Sequence, residues 1–291
     1  MKHQVTREIS YASSVSSKSG RAVVRVLENV TGRIGLIRRA RGYEHEVAAG
    51  RAFWDVLVER YGLTLDVVGG ALTNIPANGP LVLIANHPYG ILDGLIMGHI
   101  LSTLRGNQFR ILANSVFRRA RELDEVLLPV SWDETREAVE MNLRTRATAL
   151  QVLKDGGAMG IFPGGTVSTA ARPFGEPRDP MWRNFTAKMI TKSDATVVPI
   201  YFDGQNSRLF QIASHLHQTL RLALLIKEFR SRIDEPVRIV VGEPIPRREL
   251  DQYRTDAKGM MDFLRKATYD LSPRPLKSYD YGFEFEEKYR A

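Results

Sequence analysis

Residues 81–94 read LVLIANHPYGILDG, and this stretch decides how the rest of the chain is arranged. Leu81 to Ala85 is a short apolar run between Asn78-Gly79-Pro80 and the turn formers Asn86, Pro88 and Gly90, the pattern of a strand buried on both faces. His87 therefore stands just past a strand end. Pro88 and Gly90 bend the backbone in a way that neither helix nor strand accommodates. Asp93 then takes the position expected of an N-cap, before an apolar helix over Gly94 to Leu104, and the fold-back offers it a route toward His87.

An imidazole steadied by a carboxylate at one ring nitrogen presents the other as a base, which is what a hydroxyl or amine nucleophile needs. No serine of the G-x-S-x-G type is present to give up its proton, so such a base would act on the substrate itself. The competing reading leaves both residues architectural, Asp93 as a helix cap and His87 as a satisfied turn residue.

At 291 residues and 43% hydrophobic, the chain is long enough to bury a large core as one α/β domain with appendages. Lys and Arg outnumber Asp and Glu by 41 to 33, a formal charge of +8, which favours anionic partners such as membrane or nucleic acid. The absence of cysteine excludes disulfides, thiolate metal sites and a thiol nucleophile. No apolar run reaches the roughly 18 residues of a membrane span, and the N-terminus is serine-rich rather than built as a signal sequence. These features predict a cytoplasmic protein, peripheral on the inner membrane face.

Outward from the opening stretch, strands are expected at Leu65 to Val68, Arg110 to Ala113, Val126 to Val130, Ala158 to Phe162, Thr196 to Phe202 and Val237 to Val241. Helices are expected at Asp133 to Lys154 and Trp182 to Lys192. The alternation predicts an α/β fold, a largely parallel central sheet with flanking helices and an N-terminal amphipathic helical arm. The expected divisions are a mobile lead-in over 1–20, a membrane-associating arm over 21–62, a main domain over 63–271 and a tail over 272–291.

In the arm, Val23, Val24, Val26, Leu27, Val30, Ile34, Leu36 and Ile37 alternate with Arg21, Arg25, Arg33, Arg38, Arg39 and Arg41. Such a stretch suits an anionic lipid interface, and it equally suits a packing helix with a basic outer face. A second helix, Glu44 to Tyr61, has the spacing of a core-packing element. Further on, Asn206 to Arg230 is one long amphipathic stretch fit to line an acyl groove or face a membrane. His215 and His217 within it are two apart and do not share a helix face, which argues against a metal pair.

A second candidate loop follows another apolar run, Ile161-Phe162-Pro163-Gly164-Gly165-Thr166-Val167-Ser168. Adjacent glycines can turn amides toward an oxyanion or phosphate, with Thr166 and Ser168 adding hydroxyls, although the same pair also makes an ordinary turn. The spacing is not that of a Walker loop. Arg172 and Arg178 lie close in sequence as candidate positive charge or as ordinary surface residues.

Asn86-His87 with a following Asp93, the Phe-Pro-x-Gly-Thr-type loop and the run Val198-Pro199-Ile200-Tyr201 together resemble the glycerolipid acyltransferase family, bacterial lysophosphatidate acyltransferase and its relatives. The likeness spans about residues 65 to 245, and HPYGILDG, FPGGTVS and Gly204 to Phe210 resemble most its haemolysin-type and lyso-ornithine-lipid acyltransferase branch. The resemblance implies O-acyl transfer from acyl-carrier protein or acyl-CoA to a lysolipid hydroxyl, without metal or bound cofactor. It makes His87 the base and Asp93 its orienting partner. Asn86, Gly164, Gly165, Thr166, Ser168, Arg172 and Arg208 become the substrate-binding candidates, and no nucleic-acid partner is expected.

Three departures mark this chain. Five residues separate His87 from Asp93 where the family usually has four, so the loop must bulge. Gly164 stands where the family usually has Glu, and Ser131-Trp132-Asp133 stands where it usually has a phosphate-binding Arg. These losses favour a lyso-aminolipid acceptor over lysophosphatidate. The other classes that the chain allows are a non-catalytic basic docking protein and an ester or thioester hydrolase using the same pair.

Overall fold

The computed structural model describes residues 10–12, 15, 17–114, 121–131 and 135–285. Helices α1 (Lys18–Thr31), α2 (Arg33–Ala40), α3 (Tyr43–Ala48) and α4 (Phe53–Arg60) lead into β1 (Thr64–Gly69) and β2 (Leu81–Ala85). Next come α5 (Ile91–Arg105), β3 (Phe109–Asn114), α6 (Arg121–Asp124), β4 (Leu127–Val130), α7 (Arg136–Lys154) and β5 (Ala158–Ile161). A short hairpin follows, β6 (Thr169–Ala170) with β7 (Pro177–Arg178), then α8 (Phe185–Thr191), β8 (Thr196–Phe202), α9 (Arg208–Leu216) and α10 (Gln218–Arg230). The chain closes with β9 (Pro236–Val241), α11 (Arg247–Asp251) and α12 (Ala257–Tyr269).

The main sheet has seven strands in the order β1-β9-β8-β2-β5-β3-β4. Every pairing in it is parallel except that of β8 with β9, so β9 and β1 run against the other five. β2 shows why an unbroken apolar run was required. Leu81, Leu83 and Ala85 enter one core with α1–α5 and α10, while Val82 and Ile84 enter a second core with α7, α8 and α12.

The N-terminal region departs from the arm expected over 21–62. Its helices share the first core, with Val24, Leu36, Tyr43, Trp54 and Tyr61 buried there. The basic stretch is two helices broken at Gly32, and Glu44 to Tyr61 is two helices separated by residues 49–52. Of the lead-in, Tyr11 and Ala12 are also buried, held by the Glu28 carboxylate, which accepts from Tyr11 N–H at 2.6 Å and from the Ser10 hydroxyl.

Smaller differences follow from capping. α7 starts after Thr135, whose hydroxyl accepts from Ala138 N–H at 3.2 Å; Asp133 and Glu134 lie outside the described residues. The stretch 206–230 divides at His217, which has extended dihedrals and caps α10 by accepting from Thr219 N–H at 3.0 Å. His215 points elsewhere, its Nε2 2.9 Å from Ala170 O.

Candidate active site

Parallel pairing of β8, β2 and β5 brings their carboxyl ends to one edge of the sheet, where open α/β folds usually place their chemistry. Asn86 extends the β2–β8 ladder by one side chain. Its Nδ2 donates to Phe202 O at 3.0 Å and its Oδ1 accepts from Phe202 N–H at 2.7 Å. This corrects the expectation that Asn86 binds substrate: it is buried, with its amide spent on the β8 backbone, and it fixes where the chain leaves the sheet.

His87 follows at once. Pro88 to Gly90 then turn the chain back, with Gly90 at φ 92° and ψ −113°, a region that side-chain-bearing residues rarely adopt. α5 begins at Ile91, so Asp93 is not the cap but lies inside the first turn. From there its Oδ2 accepts from Tyr89 N–H at 2.8 Å and Gly90 N–H at 2.9 Å. The extra residue between His and Asp is absorbed in this turn, and His87 Nδ1 stands 2.9 Å from Asp93 Oδ2. That contact is short but angled, outside good hydrogen-bond geometry, as apo catalytic pairs often are.

Asp93 is fully buried, and burial pushes its carboxyl above the ordinary aspartate value, against the opposing pull of His87 and the two amides. The His87 ring is 18% exposed and stacks on Phe162 at 4.3 Å. With Nδ1 turned to Asp93, Nε2 is the nitrogen left for a substrate. A second such contact, His99 Nδ1 to Asp55 Oδ1 at 2.8 Å, joins α5 to α4 further along the helix and is unconnected with these loops.

The loop after β5 locks onto the first. Ser168 N–H donates to His87 O at 2.8 Å, and a Cβ built on Gly90 would lie 3.2 Å from Val167 Cγ2 and 3.6 Å from the Tyr11 hydroxyl oxygen. Gly165 N–H closes a turn on Phe162 O at 3.0 Å and is not available to a ligand. The amides of Gly164, Thr166 and Val167 donate to no atom among the described residues. Ser168, expected to meet substrate, is buried with its hydroxyl given to Asp179, so its part is structural.

Sequence reasoning missed two residues here. Asp179 is buried against Gly164, and its carboxylate accepts from His87 N–H at 3.1 Å, from the Ser168 hydroxyl and from Trp182 Nε1–H at 2.9 Å. Arg221, in α10, sends NH2 to Thr166 Oγ1 at 3.0 Å and Val167 O at 2.8 Å, and NH1 to Thr169 Oγ1 and to Ser214 Oγ at 3.2 Å. Its signal was present as the one charge within the apolar run Leu220 to Ile226. Arg172 is exposed beside the β6–β7 turn, and Arg208 braces that turn by donating to Gly175 O at 2.8 Å; neither is built into the His87 loops. Arg178 pairs with Glu176 at 2.7 Å, and of Ser131-Trp132-Asp133 only Ser131 is described.

The tail is not separate from this assembly. Gly282 N–H donates to Asp179 O and Phe283 N–H to Thr169 O, both at 2.9 Å, and the Phe285 ring lies 4.1 Å from the Arg221 guanidinium. A cleft of about 550 Å³ between β4 and α7 lies three strands away from β2 and contains none of these residues. Among the described residues no group of three or more acidic or histidine side chains could hold a metal ion.

A family model described as acyltransferase matches residues 34–277. The chain is 24% identical over 230 residues to a lyso-glycine lipid O-acyltransferase of Phocaeicola vulgatus, covering 76% of this chain and 78% of that one. It is 25% identical over 230 residues to the enzyme of the same name from Bacteroides thetaiotaomicron, covering 76% and 80%. Among solved structures, the 1-acyl-sn-glycerophosphate acyltransferase PlsC of Thermotoga maritima aligns with 88% of this chain and 98% of its own, at 16% identity and a TM-score of 0.45.

Proposed function

The chain belongs to the acyltransferase family, and from that premise we propose that it moves an acyl group from a thioester of acyl-carrier protein or coenzyme A to the hydroxyl of a lysolipid, with His87 as general base. The observation that carries the mechanism is His87 Nδ1 at 2.9 Å from the buried Asp93 carboxylate, at the carboxyl end of a central strand. His87 Nε2 takes the proton of the lysolipid hydroxyl as that oxygen attacks the thioester carbonyl carbon. Asp93 stabilises the imidazolium that forms. The carbonyl oxygen becomes an oxyanion for which the undonated amides of Gly164, Thr166 and Val167 are the candidate donors in the loop. Collapse breaks the carbon–sulfur bond, and the leaving thiolate recovers the proton from Nε2.

The acceptor is a lyso-aminolipid in preference to lysophosphatidate. Support comes from the name shared by the two relatives, and from a loop that holds one guanidinium behind neutral hydroxyls rather than a cluster of arginines. Docking uses exposed apolar side chains, Val23, Val26 and Val30 of α1 and Ile34 of α2, with Leu209, Leu216 and Leu220 of α9 and α10 also exposed. Arg21 on α1 and Arg38 on α2 are exposed on the same two helices, which suits the anionic inner face of a membrane. Among the described residues no helix is long and apolar enough to cross one.

The test incubates purified protein with an acyl thioester and a lyso-aminolipid and follows the mass of the lipid product. An O-acylated lipid with matching release of thiol supports the reading. Thiol release with free fatty acid as the sole acyl product makes the chain a hydrolase instead.

A further inference from the structure

Arg221 is 96% buried, yet no carboxylate among the described residues lies within ion-pair distance of it, and the described groups that it hydrogen-bonds are neutral. Four of its N–H donors go to the hydroxyls of Thr166, Thr169 and Ser214 and to Val167 O. Its guanidinium carbon is 5.0 Å from the Phe210 ring centre and 4.1 Å from that of Phe285. Burial pushes its pKa down to about 9, which still leaves it charged at neutral pH. A cation kept in such a place is costly unless an anion arrives to offset it.

The place is directly behind the second loop. Thr166 and Val167 precede Ser168, whose amide is bonded to His87 O, and Val167 packs on Gly90. Thr166 is half-buried where Thr169 and Ser214 are buried, so of the hydroxyls on Arg221 it is the accessible one. Because Thr166 Oγ1 already accepts from the guanidinium, its own hydrogen is left for another partner, and the cation makes that O–H a stronger donor.

We propose that Arg221, acting through the Thr166 hydroxyl, selects acceptor lipids that carry a carboxylate on the headgroup. The inference rests on the reading of the chain as a lysolipid acyltransferase and names the group that its acceptor must present. A carboxylate fits better than a phosphate dianion. With four of its five N–H groups committed, Arg221 cannot fork around a phosphate, and one hydroxyl backed by one positive charge matches a monoanion. Arg221 is thus a positioning residue, and Thr166 makes the contact.

The experiment compares kcat/KM for three acceptors with one acyl thioester at neutral pH: an N-(hydroxyacyl)glycine, its glycinamide counterpart and lysophosphatidate. The ratio of acid to amide within one protein does not depend on the fraction folded, so a merely structural role leaves it unchanged. Wild type is expected to favour the acid at least tenfold over both alternatives. Arg221→Gln and Thr166→Val should bring the acid-to-amide ratio to within about threefold of one, while Thr166→Ser keeps it. Should Arg221→Gln fail to fold, the two Thr166 variants still decide the matter. A wild-type ratio near one, a preference for lysophosphatidate, or a Thr166→Val enzyme that keeps the tenfold ratio overturns the proposal. Wild type that acylates none of the three overturns the parent reading with it.

Discussion

The Asp179 carboxylate occupies the space beside Gly164, so that a Cβ at 164 would sit 3.2 Å from Asp179 Cβ and 3.4 Å from Oδ2. Position 164 is where the resembling family usually carries Glu. In this chain the buried acid beside the loop comes from Asp179, and that one carboxylate receives donors from His87, Ser168 and Trp182. Two carboxylates cannot share the place without one of them taking up a proton.

Gly164→Glu should therefore impair the protein rather than restore a family feature. We expect a loss of at least about tenfold in turnover and about 1–3 kcal/mol in stability from overpacking and charge repulsion. The double variant Gly164→Glu, Asp179→Gly should be less damaged than the two single effects summed, read by thermal melts and kcat. Strict additivity contradicts the steric exchange.

The strands around this site were legible because β2 and β5 are apolar runs set between Gly, Pro or Asn, and β8 is an apolar run between Asp194 and Asp203. His87 and Asp93 were legible for a local reason, since a single turn brings them together. Asp179 was not, because it meets His87 across 92 residues of sequence. Arg221 was hidden inside a helix that reads as a continuous apolar face, although it is the charge in that run. For the first N-terminal helices the sequence admitted both an arm and a packing element, because basic amphipathic periodicity looks the same whether the apolar side meets lipid or a sheet; here α1 meets the core with Val24 and leaves Val26 and Val30 outside.

Trp54 tests that integration. It is buried in α4, with its ring 6.3 Å from that of Phe109 in β3, so the N-terminal helices and the sheet share one core. Trp54→Ala should cost about 3–5 kcal/mol and keep a single unfolding transition in urea. Two separated transitions, with the sheet unaffected, would restore the arm.

The pH dependence has opposite signs for stability and activity. Asp93 has a folded pKa raised above its unfolded value, first by burial, so it binds its proton more tightly when folded. Its contribution to stability is full below the unfolded pKa and is lost as pH rises through the raised folded value. Activity needs the ionised carboxylate, so kcat should rise with pH over that same limb. Asp93→Asn should lower kcat by about 10²-fold or more and abolish the limb, measured as a kcat profile beside a melting profile.

For the lipid face, Val26 and Val30 are 60% and 76% exposed. Val26→Asp with Val30→Asp should weaken partitioning onto anionic vesicles by about tenfold or more while leaving the melting temperature within a few degrees. Replacing Arg21 and Arg38 by Gln should weaken it further at low salt, by about 1 kcal/mol each. Vesicle binding unchanged in both variants would mean that the membrane is met elsewhere.

The most direct test of the account is the turnover of His87→Ala with purified protein, an acyl thioester and a lyso-aminolipid that wild type acylates. His87 lies outside both strand and helix with a partly exposed ring, so its removal should leave melting nearly unchanged. The account predicts that O-acylated product forms about 10²- to 10⁴-fold more slowly than with wild type, without recovery at any pH between 6 and 9. A folded His87→Ala protein that turns over within tenfold of wild type would contradict it.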